Sequence, residues 1–67
     1  MKIQGLNFKK GDKFQVGDDS SIYTFINVTT NKKYGFQELN AENEFDSISS
    51  FRIDNMVELG LNISKVY

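Results

Sequence analysis

The 67-residue chain contains no cysteine, histidine, proline or tryptophan. Without cysteine it can form no disulfide, and without cysteine or histidine it lacks the usual ligands of a structural metal site, so the fold must rest on its own core. Without histidine or cysteine the usual nucleophilic triads cannot be assembled either. No stretch reaches the ~20 apolar residues of a membrane span, and the start Met-Lys-Ile-Gln-Gly has no apolar run like that of a secretory signal. These absences set the expectations: a cytoplasmic, non-enzymatic protein, with no cofactor, no metal, no membrane and no small-molecule substrate.

A chain of this length supports one domain, residues 1–67, which buries about 60% of the surface its unfolded form exposes. Six Phe and three Tyr must supply much of that burial. The net charge of −1 covers an asymmetry. Lys2, Lys9, Lys10, Lys13, Lys32 and Lys33 outnumber the acids of residues 1–37, whereas acids dominate residues 38–67. Such a dipole can steer a charged partner or favour contact between copies.

The pattern along the chain has period two, the period of strands. Leu6 and Phe8, then Phe14 and Val16, suggest a strand, a turn and a second strand. Residues 21–28 suggest the central strand, with Ile22, Thr24, Ile26 and Val28 on one face and Tyr23 and Phe25 on the other. The polar segment Asn-Val-Thr-Thr-Asn-Lys-Lys-Tyr-Gly at residues 27–35 marks a hairpin, with residues 34–39 returning. A two- or four-residue connection pairs Thr29 with Tyr34, and a three-residue one sets Phe36 opposite Val28. Asn31 is the residue best suited to a left-handed conformation. Residues 40–46 suggest a loop and residues 47–53 a further strand. Asp54 is placed to cap a helical turn over residues 55–59 that stops at Gly60, before a last strand through Leu61, Ile63 and Val66. Phe14, Ile22, Ile26, Val28, Phe51 and Leu61 form the expected core.

The fold class expected is all-β. Four or five strands, a tight central hairpin and one helical turn before a short last strand resemble, in order, the elements of SH3-like barrels over residues 6–66. The alternatives are an OB-like barrel and a β-meander packed on a short helix. SH3 domains that bind proline-rich peptides usually carry a Trp beside an acidic and aromatic run, and this chain has no Trp, which sets it apart from that function.

Carboxylate pairs are the only acid–base candidates: Asp18 with Asp19, and Glu42 with Glu44 and Asp46. Adjacent acids are commoner in turns than in active sites, and residues 17–21 lack the spacing of a calcium loop. The sequon Asn62-Ile63-Ser64 is too short a pattern to carry weight. The expected function is therefore protein interaction, with another protein or with a second copy, through Tyr23, Phe25, Tyr34 and Phe36, with Glu42 and Glu44 orienting a basic partner. The proline-free, Asn- and Lys-rich composition suggests a phage or mobile-element accessory protein that regulates or inhibits a host protein. The alternative is a single-stranded nucleic-acid binder using Lys9, Lys10, Lys13, Lys32 and Lys33 around the same aromatics, which the acidic pI of about 5.2 disfavours.

Overall fold

The computed structural model describes residues 2–67. Seven strands and one helix follow in the order β1 (Lys2–Ile3), β2 (Leu6–Asn7), β3 (Lys13–Val16), β4 (Tyr23–Thr30), β5 (Gln37–Glu42), β6 (Ile48–Arg52), α1 (Ile53–Glu58) and β7 (Ile63–Val66). The protein is mostly β. Five strands form one antiparallel sheet ordered β6-β5-β4-β3-β7, while β1 and β2 pair only with each other. The strand expected around Leu6 and Phe8 thus belongs to a separate hairpin, turned at Gln4 and Gly5, both with positive φ. β6 and β7 do not pair, so the sheet is open and not a closed barrel. Among the described residues no helix is long and apolar enough to cross a membrane.

One face of the sheet holds the core. Phe14 and Val16 of β3, Phe25 of β4, Leu39 and Ala41 of β5 and Ile63 of β7 are buried there. Ile3 and Phe8 close it from the amino-terminal side, and Met56 closes it from α1. Tyr23, Val28, Phe51 and Leu61 pack half-buried against this cluster. The aromatic rings interlock, with Phe8 edge-on to Phe14, and Tyr23 stacked on Phe14 and edge-on to Phe51.

The expected core is corrected at two positions. Ile22 and Ile26 are only half-buried and outside the cluster, whereas Phe25 is 3% exposed. The reason is a β-bulge. Phe25 pairs with Ala41 and Asn27 with Asn40, which leaves Ile26 as an extra residue on β4. The extra residue resets the alternation, so Tyr23 and Phe25 before it and Val28 after it all face the core.

The helical turn is also shifted. It spans Ile53–Glu58, so Asp54 lies in its first turn and does not cap it; the residue at the cap position is Arg52, whose side chain makes no capping bond to the helix's first N–H groups. Its end matches expectation. Gly60, at φ +68°, terminates it with bonds from Gly60 N–H to Val57 O and from Leu61 N–H to Met56 O, the pattern that satisfies a helix's last carbonyls.

Candidate functional site

The hairpin between β4 and β5 is a six-residue connection, because Thr30 pairs with Gln37. Neither expected register holds, since β5 starts at Gln37 and Tyr34 and Phe36 belong to the loop. The loop is ordered by its first residue. Asn31 Oδ1 accepts the N–H groups of Lys33 and Tyr34, both at 3.0 Å. The N–H of Asn31 donates to Phe36 O and that of Gly35 to Asn31 O. Gly35, not Asn31, takes the left-handed conformation, at φ +77°. Asn31 instead acts as the side-chain anchor of the turn, a role its short amide also suits.

This turn carries Tyr34 out of the core, 69% exposed, and stacks it on Phe36 with centroids 6.2 Å apart and planes 8° from parallel. Cations lie against both rings. The Arg52 guanidinium sits 4.4 Å from the Phe36 centroid, and the Lys33 ammonium 5.2 Å from that of Tyr34. Arg52 is held in place by a forked contact with Asp54, Nε to Oδ1 at 2.8 Å and Nη2 to Oδ2 at 2.9 Å. That contact pulls the Asp54 carboxyl below its ordinary pKa. Beside the rings, Thr30, Gln37, Ile53 and Asp54 line an open groove of about 400 Å³.

The other expected site residues lie elsewhere. Phe25 is in the core and Tyr23 packs on Phe14 and Phe51, so the expected aromatic quartet splits, and Tyr34 and Phe36 stand together in the β4–β5 loop. Burial first, and then the nearby Asp19 carboxylate, raises the Tyr23 pKa. Glu42 ends β5, and Glu44 lies beyond it, at the end of the sheet opposite Tyr34. Glu44 serves the fold, because its carboxylate accepts the Ile22 N–H at 2.6 Å and so ties the β5–β6 hairpin to the start of β4. Lys9 and Lys10 precede β3 and Lys13 opens it opposite Thr24, whereas Lys32 and Lys33 lie past Thr30. The stretch of β4 from Thr24 to Thr30, roughly 20 Å at about 3.3 Å per residue, therefore separates the two lysine groups. Arg52 was missed by sequence reasoning; its nearest signal was the Arg52-Ile53-Asp54 spacing at a strand end.

The chain matches no known family, no curated protein and no solved structure.

Three carboxylates give the fold a defined acid response. The Lys9 N–H and the Lys65 ammonium, 3.2 Å away, hold the Asp12 carboxyl below its ordinary value. The Ser21 N–H does the same for Asp19, and Arg52 for Asp54. With folded pKa values below the unfolded ones, their stabilisation is complete above the ordinary value of 3.8 and is lost as pH falls through the lowered values. Urea midpoints are expected to stay flat from about pH 5 to 8, where the chain has no histidine to titrate, and to fall below about pH 4. A decline beginning near pH 6 would contradict this assignment.

Proposed function

We propose that the protein is a non-enzymatic interaction module that grips a partner protein with the Tyr34–Phe36–Arg52 platform. The observation that carries this reading is Tyr34 itself, largely exposed yet fixed by the Asn31-anchored turn and by its stack on Phe36. An exposed aromatic normally gives up side-chain freedom on binding, and a pre-stacked one has already done so. Tyr and Arg are also the side chains most enriched among binding hot spots. A regulator or inhibitor of a host protein is the role we favour for such a module in a phage or mobile-element setting.

A second reading, single-stranded nucleic-acid binding, draws on one observation: the Tyr34 ring has Lys33 against it, with exposed Lys32 next in the chain, the combination of ring and cations on which a base can stack. Capture from a cell lysate with and without nuclease separates the two readings. A protein retained after nuclease treatment is the expected result; retention abolished by nuclease would transfer the site to the second reading.

A further inference from the structure

The main sheet has two edges, and they are treated differently. On β7 the Gln4 side chain stands in for a neighbouring strand: its Oε1 accepts the Ile63 N–H at 2.9 Å and its Nε2 donates to Leu61 O at 3.0 Å. The Lys65 ammonium is bound to Asn7 O across the same edge. The amino-terminal hairpin thereby covers β7. On β6, none of the turn, loop or side-chain hydrogen bonds falls on the backbone of Ile48 or Ser50, while Arg52, at the cap position of α1, gives its C=O to the first turn of the helix.

The direction of the β6 backbone groups follows from the register. Asn43 N–H donates to Ser47 O, so that pair is hydrogen-bonded, and bonded and non-bonded pairs alternate from there along an antiparallel ladder. Ser49 and Phe51 are then bonded to β5. Ile48 and Ser50 point both their N–H and C=O groups outward, and Arg52 its N–H, at an open edge.

We infer that this edge pairs antiparallel with β6 of a second copy, on a two-fold axis through Ser50, giving a continuous ten-stranded sheet. The choice of register is physical. Centred on Ser50, Ser50 exchanges both bonds with Ser50 of the other copy, and the Arg52 N–H of each copy meets the Ile48 C=O of the other. A centre at Arg52 would set two guanidinium groups against each other, which is unfavourable. A centre at Ile48 would oppose Ser50 to Asp46, whose positive φ lies in the turn and not in a strand. The Ser50 centre is also complementary in charge. Glu38 neighbours Arg52, and Glu42 neighbours Ile48, on the solvent face. In the dimer that row reads Glu38, Arg52, Ile48 and Glu42, the last two from the second copy, so an acid of each copy lies within two strands of each guanidinium and no like charges face each other across the seam. Ile48, 61% exposed in the single chain, gains a neighbour. The inference shares Arg52 with the proposed platform but rests on the β6 backbone and on none of the Tyr34 contacts, so either reading can fail alone.

The absence of cysteine makes the test clean. In a bonded antiparallel pair the Cα atoms lie about 5.5 Å apart, within the range a disulfide spans. Ser50→Cys is therefore expected to oxidise to a covalent dimer about tenfold or more faster than Thr29→Cys, an exposed control on β4, because association raises the local thiol concentration. Ile48→Cys is expected to match the slow control, since the Ser50 axis holds the two copies of residue 48 roughly 13 Å apart. The unsubstituted protein is expected to gain weight-average mass in sedimentation between about 10 µM and 1 mM, as suits a small interface. Ser50→Pro, which removes an outward N–H and no bond to β5, is expected to stay monomeric with an unchanged far-UV spectrum. Equal oxidation of Ser50→Cys and Thr29→Cys, rapid oxidation of Ile48→Cys, or a monomer throughout that range would each overturn the inference.

Discussion

Phe25→Ala is expected to unfold the protein, while Ile26→Ala is expected to leave it folded. Truncating a buried Phe costs about 3–5 kcal/mol, and a domain of this size holds roughly 3–10 kcal/mol in all. Phe25 is 3% exposed and lies 5.5 Å, centroid to centroid, from Phe8, so its loss opens the core between β4 and the amino-terminal hairpin. Ile26, the bulged residue, is half-buried outside the core cluster, and its truncation should cost about 1 kcal/mol. Chemical denaturation of the two variants checks the order. A reversed order would mean that β4 keeps regular alternation and presents its other face to the core.

Tyr34→Ala is expected to abolish partner binding without a matching loss of stability. Aromatic anchors of this kind cost about 2 kcal/mol or more on truncation, roughly 30-fold in affinity. The stability cost is small because Tyr34 is mostly in solvent and the turn is held by Asn31 and Gly35, not by the ring. Asn31→Ala is expected to weaken binding to a lesser degree by loosening the turn. Glu42→Ala, at the far end of β5, is expected to leave binding unchanged.

The succession of strands along the chain from β3 onwards and the helix stop at Gly60 were legible because period-two alternation and a glycine after a short helical run reflect local sterics, although β5 runs over Gln37–Glu42 and so takes in residues 40–42, with buried Ala41, that the polar pattern assigned to a loop. The core face of β4 was not. Tyr-Thr-Phe-Ile-Asn-Val is apolar on both faces, and the bulge that reassigns Ile26 arises from pairing with β5, a contact absent from the local pattern. The hairpin failed for a related reason. Asn31 invites a left-handed assignment, but Gly35 takes that conformation at lower cost and frees the Asn31 amide to accept two N–H groups. Half of the candidate site was visible as Tyr34 and Phe36. The other half, Arg52, reaches Phe36 from a strand two places away in the sheet from β4, a proximity only the fold creates.

The most direct test of the proposed function compares the native protein with Tyr34→Ala, both shown to be folded by their melting curves, as baits at equal concentration in nuclease-treated lysate. The account predicts a protein captured by the native bait and depleted roughly 30-fold or more on the variant. Equal capture by both baits, or tight salt-sensitive binding of a single-stranded oligonucleotide that Lys32→Ala with Lys33→Ala removes, would contradict it.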